Sequence, residues 1–289
     1  MPPSPQKSWR IIDLLKWGKQ YFRKNNFANP RQEIELLLQE ILQCTRVDLY
    51  LRFEELLNKV QLANLREWIK RRLNHEPIQY ITGKAEFYNL MLEVDPDVMI
   101  PRPESECLID AVLDTIPIDT ELSILDIGTG SGCLALALAN ERPQVNLTGI
   151  DISKCAVELA RKNDKALNIR NVVFSQADFL TDKINETFDI AISNPPYIPK
   201  KDMPSLMPEV REYEPESALT DFADGLIFYH RTAEECHSFL KRKGWVFLEV
   251  GLGNHPKKVK ELFLNDKFIN VELIKDYNGD DRILKVQLV

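Results

Sequence analysis

The tetrapeptide Asn194-Pro-Pro-Tyr197, which follows the apolar run Phe188-Asp-Ile-Ala-Ile-Ser193, limits the chemistry of this 289-residue chain more narrowly than any other segment. One proline would suit a turn after a strand, but the whole tetrapeptide is expected by chance in roughly one chain in a thousand of this length. The physical need it meets is holding a planar NH2 group, whose nitrogen carries two hydrogens and a delocalised lone pair. Two acceptors, the Asn194 side-chain oxygen and the Pro195 carbonyl, can fix such a group. Pro195 and Pro196 lock the backbone before a substrate arrives, and Tyr197 offers a flat face to the substrate's planar group. Only the out-of-plane direction of the nitrogen stays open. With a methyl sulfonium on that side the leaving group is a neutral thioether, so alignment matters more than a metal or a covalent nucleophile. No compelling general base stands out, and Glu249 is kept as a candidate.

A second segment, Leu125-Asp-Ile-Gly-Thr-Gly-Ser-Gly132, is glycine-rich at the end of a strand-like run and leads at once into helix-forming Leu134 to Ala139. Glycines there let a ligand press on bare backbone at a helix N-terminus. The dinucleotide fingerprint would place its last glycine at Cys133, so the spacing is a different one. Asp151, at the end of the next strand in Gly149-Ile-Asp-Ile-Ser153, can accept both hydroxyl hydrogens of a ribose. After the following strand, Asp178 can take an adenine amino group and Phe179 can lie against the base. Together these residues point to an adenosine-bearing cofactor.

The elements that position these groups follow from periodicity. Ile11, Leu14, Leu15, Gly18 and Phe22 keep a helical period behind Ser8 as a candidate N-cap. Asn29, Pro30 and Gln32 read as a capping box opening a helix with Ile34, Leu37, Leu38 and Ile41 on one face. Leu62, Leu65, Ile69 and Leu73 make a third stripe with Arg66, Lys70, Arg71 and Arg72 around it, so the first seventy-odd residues form a helical bundle. Leu90, Leu92 and Val94 alternate as a β ribbon, and Ile100-Pro-Arg-Pro-Glu104 reads as a stiff, exposed loop carrying Arg102 and Glu104. Beyond it strands alternate with helices: Ser123 to Ile127, Asn146 to Ile150, Val172 to Gln176, Phe188 to Ser193 and Trp245 to Val250. Val271 to Lys275 and Ile283 to Leu288 flank a turn at Asn278-Gly279, which makes the last strand antiparallel.

Composition bounds the rest. The chain carries 44% hydrophobic and 28% charged residues, which suits a folded protein with room for two domains. Residues 1–75 hold 14 basic against 8 acidic side chains, a net +6, and the remainder 23 against 36, a net −13. An acidic catalytic half argues against wrapping duplex DNA, whose binding rests on phosphate neutralisation. Five cysteines spread far apart suit reduced thiols, and the nearest histidine pair, His230 and His237, lies seven apart with no third ligand nearby, so no metal is expected. No apolar run is long enough to cross a bilayer. The opening Met-Pro-Pro-Ser-Pro-Gln-Lys lacks the pattern of a targeting segment, which suggests a cytoplasmic protein.

Taken in order, these segments resemble the HemK/PrmC family of S-adenosylmethionine-dependent methyltransferases, which methylate the glutamine of peptide-chain release factors. The resemblance runs from Arg71 to about Gly251. It also rests on Glu76-Pro-Ile-Gln-Tyr-Ile-Thr-Gly83, Glu86-Phe-Tyr88, Ile100-Pro-Arg-Pro-Glu104, Glu214-Pro-Glu-Ser-Ala-Leu219 and Asp224-Gly-Leu226. It implies an α/β fold: a helical domain over 1–75 that helps dock the substrate, a β-hairpin linker over 76–104, and a seven-stranded Rossmann-like class I methyltransferase domain over 105–289 with an antiparallel last strand. It implies that Gly128, Thr129, Gly130, Ser131, Gly132, Asp151, Ile152, Asp178, Phe179 and Asn194 hold S-adenosylmethionine. Asn194, Pro195, Pro196 and Tyr197 would then receive the glutamine of the Gly-Gly-Gln loop of class-1 release factors, with Asn194, Pro195 and Tyr197 acting in catalysis. A monomer is expected, with neither a stable nucleic-acid partner nor a membrane. The sequence departs from the family at Ser105, often Thr, at Asn254, near a common Gln, and at Thr220 to Ala223, which lack the usual glycines. Two other readings compete: an amino methyltransferase acting on adenine in DNA or RNA, and a cofactor-binding module without catalysis.

Overall fold

A computed structural model describes residues 8–289, so the reading of the first seven residues lies outside the described residues. The chain divides into two compact units, Met1–Gly83 and Lys84–Val289. In the smaller unit five helices follow one another: α1 (Ile11–Lys24), α2 (Pro30–Leu42), α3 (Arg46–Leu51), α4 (Lys59–Leu73) and α5 (Ile78–Thr82). Their apolar stripes form one core in which Ile11, Leu14, Phe22, Ile34, Leu37, Leu38, Leu65 and Ile69 are fully buried or nearly so. Gly18 belongs to that seam because a Cβ there would stand 2.4 Å from Ile34 Cγ1, so only a bare backbone lets α1 and α2 approach this closely.

Three details differ from expectation. The N-cap of α1 is Arg10 rather than Ser8, with Arg10 in ion pairs to Asp13 and Glu54. Asn29 does precede α2, but its ψ of 64° is not the extended value that aims a cap side chain at the free amides, and no side-chain cap bond forms. Capping boxes form instead at α3, between Thr45 and Asp48, and at α4, between Asn58 and Gln61. Arg72, one of the basic residues placed around the third apolar stripe, is itself buried and bonds Glu33 through Nε at 2.7 Å.

The larger unit opens with a hairpin, β1 (Lys84–Phe87) and β2 (Leu90–Glu93), followed by a 3-10 turn at Pro103–Ser105 and α6 (Glu106–Leu113). The hairpin is built into this unit, since Phe87, Leu90 and Leu92 share a buried cluster with residues of α6 and of the sheet that follows. Then come β3 (Ser123–Ile127), α7 (Cys133–Glu141), β4 (Asn146–Asp151), α8 (Lys154–Leu167), β5 (Val172–Gln176) and β6 (Phe188–Ser193). Short helices α9 (Pro208–Tyr213) and α10 (Glu216–Leu219) precede α11 (Ile227–Phe239), β7 (Leu240–Glu249), α12 (His255–Leu262), β8 (Phe268–Lys275) and β9 (Asp281–Leu288).

Seven strands form one sheet in the order β5-β4-β3-β6-β7-β9-β8, parallel except that β9 runs against both β7 and β8. Alternate residues of each central strand enter opposite cores. Ile124, Ile190, Ile192 and Phe247 join the cluster under α6, α7 and α8, while Leu125, Ala191, Val246 and Leu248 join the one under α11 and α12. A sheet covered on both faces needs strands with continuous apolar runs, which is how Ile124-Leu125 of β3 and Ile190-Ala191-Ile192 of β6 read. Leu134 to Ala139 of α7 are all buried, as an all-apolar helix demands. The strand order reverses between β3 and β6, and that reversal opens a crevice at their carboxyl ends.

Candidate active site

At that crevice lies a cavity of about 300 Å³, formed within the larger unit. Its floor is the loop after β3. Gly128 and Gly130 have φ of +73° and +57°, and a Cβ on Gly128 would meet nothing within 4 Å, so its bare backbone faces open space. Gly132 has another place: a Cβ there would stand 3.0–3.2 Å from Leu136, Phe174 and Ala160, so this glycine turns into the core and lets α7 seat on the sheet. Thr129 is buried and its hydroxyl bonds the buried Asp126, which holds the loop from below. Burial pushes the Asp126 carboxyl up to about 7. Asn163 on α8 pins the same loop, donating to the Ser131 and Glu93 carbonyls while accepting the Glu93 N–H.

Asp151 ends β4 at the cavity wall. Its two oxygens accept the Gly130 N–H at 2.9 Å and the Ser153 N–H at 2.8 Å, so backbone fixes the carboxylate while each oxygen keeps a further lone pair. Ser153 caps α8 through its own hydroxyl, leaving Asp151 free of that duty. Burial raises the Asp151 pKa, and the two backbone bonds oppose the shift. Ile152 lines the cavity and is 61% exposed, an apolar side chain open to a flat ligand. Phe179 lies on the wall beyond, stacked on Phe228 at 6.4 Å with 13° between the rings. Asp178 also lines the cavity, but its carboxylate accepts the Leu180 N–H and the Thr181 hydroxyl and so shapes the turn after β5.

The tetrapeptide follows β6 on the other side. Asn194 and Pro196 line the cavity and Pro195 is buried. The Asn194 amide donates from Nδ2 to Ser105 Oγ at 3.0 Å, and Ser105 Oγ in turn donates to Glu249 Oε2 at 2.5 Å. Tyr197 turns from the cavity to place its hydroxyl 3.2 Å from Glu249 Oε1. Glu249 is 1% exposed, and burial pushes its carboxyl up to about 7 against the Ser105 hydrogen bond and the Arg282 charge. Glu249 therefore stands behind the tetrapeptide and does not reach the cavity wall as a base would.

Two loops complete the rim. Ile100 to Glu104 is not the exposed loop expected: Ile100 and Pro101 are buried, and Arg102 bonds Glu214, whose side chain is 1% exposed, at 2.5 Å. The segment Thr220 to Ala223, which lacks glycines, is organised by Asp221, whose carboxylate accepts the N–H groups of Ala223, Gly225 and Ile227. Phe222 takes the left-handed backbone there, with φ of +62°, and stands half exposed on the rim. Gly225 lies against the tetrapeptide so closely that a Cβ would meet the Tyr197 carbonyl oxygen at 2.2 Å. Ser105 and Asn163 were missed as site-shaping residues because each gains its partners from segments distant in sequence, whereas Asp221 was missed although it organises its own loop.

The profile of the PrmC N-terminal domain matches residues 13–83, and that of a methyltransferase domain matches 118–248. A release factor glutamine methyltransferase of Geobacter sulfurreducens is 37% identical over 96% of this chain and 96% of its own length. One from Buchnera aphidicola subsp. Schizaphis graminum is 40% identical over 94% of this chain and 98% of its own. The chain belongs to the release factor glutamine methyltransferase family. A solved methyltransferase from Pyrococcus furiosus, 20% identical, shares the fold with a TM-score of 0.52 over 77% of this chain and 98% of that one. Membership in the release factor glutamine methyltransferase family makes the chain a methyltransferase. Among the described residues no helix is long and apolar enough to cross a membrane.

Proposed function

We propose that this protein transfers a methyl group from S-adenosylmethionine to the side-chain amide nitrogen of the glutamine in the Gly-Gly-Gln loop of class-1 peptide-chain release factors. The observation that carries the reading is Asn194, which lines the same cavity as Asp151 and the bare backbone of Gly128, with its amide nitrogen bonded inward to Ser105.

The donor set fits the cofactor. Asp151, with a lone pair free on each oxygen, suits the two hydroxyls of a ribose. Ile152 and Phe179 supply apolar walls for an adenine, and Gly128, Thr129, Gly130 and Ser131 line the cavity, with Gly128 leaving space that a side chain would fill. When bound, S-adenosylmethionine supplies an electrophilic methyl on a sulfonium whose leaving group is a neutral thioether. Asn194 accepts one amide hydrogen of the glutamine through Oδ1, and the Pro195 carbonyl is assigned the second. As the amide nitrogen attacks, its hydrogens become more positive, so both acceptors bind the transition state more tightly than the ground state. The proton leaves to solvent after transfer. Tyr197 enters this scheme through Glu249, to which its hydroxyl is bonded, rather than by presenting its ring to the substrate. The helical unit serves to dock the release factor, and the enzyme works as a cytoplasmic monomer.

The test is transfer of labelled methyl from S-adenosylmethionine to purified release factor, to DNA and to RNA. Label on the loop glutamine supports the reading, and label on nucleic acid with none on protein overturns it.

A further inference from the structure

The acceptor that the reaction needs is an amide oxygen, yet an asparagine carries a donor of nearly the same size on the same carbon. Presented the wrong way round, Asn194 would repel an NH2 group instead of binding it. Something must choose between the two orientations, and Asn194 cannot do so itself.

We propose that the buried Glu249 fixes the direction of the chain Glu249–Ser105–Asn194, so that Asn194 shows its oxygen to the target nitrogen. Glu249 and Ser105 are thus positioning residues. The argument uses only donor and acceptor types. An ionised carboxylate can accept but not donate, so the Ser105 hydroxyl must give its single hydrogen to Glu249 Oε2, at 2.5 Å. Ser105 Oγ is then left with lone pairs, and the group it faces at 3.0 Å must donate, which places Nδ2 of Asn194 inward and Oδ1 in the cavity. Tyr197 donates to the other carboxylate oxygen, so the same carboxylate holds both ends of the tetrapeptide. Ser105 is 2% exposed and Glu249 1%, which keeps water from offering either group another partner.

Protonation of Glu249 reverses the logic. Its new hydrogen can be given to Ser105, whose own hydrogen is then free to meet the Asn194 oxygen, and the amide turns its NH2 to the substrate. Around Glu249 stand Arg282 from β9, Glu104 from the 3-10 turn, Cys107 from α6, Cys133 from α7 and Tyr229 from α11. Burial raises Cys107, Cys133 and Tyr229 and keeps them neutral near pH 7, while the raised Arg282 stays charged. Glu249 itself is pushed up to about 7. Asp126 is also pushed up to about 7, so a pH profile alone does not identify the group and a Glu249 variant is required.

The proposal rests on the glutamine reading above, so its test has two arms. In the cofactor-free full chain, the side-chain carboxamide resonances of Asn194 are followed by NMR, assigned by their loss in Asn194→Asp. Expected is one hydrogen-bonded NH that disappears in Ser105→Ala and shifts in Glu249→Gln. In the second arm, methyl transfer to release factor is measured. Ser105→Ala lowers kcat by about 10- to 100-fold, typical for loss of a group that orients a reacting one, with KM and cofactor affinity within about threefold. Ser105→Thr, which keeps the hydroxyl, recovers most of that loss. The parent's kcat falls as pH drops through about 7, and Glu249→Gln lacks this acid limb while running at a tenth or less of the parent rate. Unchanged Asn194 resonances in Ser105→Ala, or kcat within about twofold of the parent, would overturn the relay. If Glu249→Gln does not fold, Ser105→Ala decides. A parent that methylates no release factor sinks the glutamine reading, and the NMR arm still judges the relay.

Discussion

The two ends of the cavity are held by different means. Asp151 is fixed by main chain alone, two N–H groups from the loop after β3 and the turn after β4. Asn194 is fixed by side chains, through Ser105 to a buried carboxylate that is itself pushed up to about 7. Backbone N–H groups do not titrate, and these two sit in short loops directly after strands β3 and β4, so the donors to Asp151 are set once the fold forms. The Asn194 end depends on the charge of one group, and its geometry is open to adjustment by pH or by single substitutions. One end suits steady binding of a ligand, and the other suits an interaction that must strengthen only as a bond forms.

The sharpest way to break this contrast is Asn194→Ala. Turnover is expected to fall by about a thousandfold, the upper range for removing a group that stabilises developing charge. Cofactor affinity should stay within about tenfold, or 1.4 kcal/mol. Steady-state kinetics and calorimetry together check the split, and parallel losses would mean the two ends are not separate. Asp151→Ala should do the converse. Loss of a charged acceptor for two hydroxyls weakens cofactor binding by about 100-fold, within the 1.5–3 kcal/mol carried by a hydrogen bond to a charged group. The kcat at saturating cofactor should change far less.

A smaller effect is expected at Gly225, where a Cβ would meet the Tyr197 carbonyl oxygen at 2.2 Å and the φ of +84° disfavours any side chain. Gly225→Ala should cost about 1–3 kcal/mol in urea unfolding and lower kcat by roughly tenfold by shifting the tetrapeptide. Gly253→Ala, where φ is +69° but nothing lies within 4 Å, should pay only the backbone strain. The smallest effect concerns stability against pH. Asp126 is pushed up to about 7 in the folded chain, above its ordinary 3.8, so between those values the folded protein holds a proton that the unfolded chain has lost. This group therefore removes stability as pH rises from about 4 to 7, and the loss is complete above 7. The melting temperature of Asp126→Asn relative to the parent should rise across that interval and then level off.

Much of the fold was legible. β3, β5 and β6 have the bounds that apolar runs suggested, and the Asn278-Gly279 turn announced the antiparallel end of the sheet. These are local signals, carried by neighbours in sequence. The site was legible where a residue acts through its own backbone position, as at Gly128 and Asp151, both of which line the cavity. It was not legible where a role depends on a distant partner. Ser105 lies 89 residues from Asn194 and 144 from Glu249, and no spacing rule links them. Arg102 and Glu104 read as a free loop because Glu214, 112 residues beyond Arg102, could not be paired with it in advance.

By itself the sequence determined which residues could form strands, where the chain had to turn, and that a proline-stiffened segment would follow β6. Hydrophobic period and proline geometry act over a few residues, and that suffices for such features. Only the tertiary structure decided that Gly132 packs inward, that Tyr197 points to Glu249, and that the Asn194 amide nitrogen donates to Ser105. Each of those outcomes is a choice between two directions of one side chain or one glycine, and what settles it is a group brought close by the folding of the sheet.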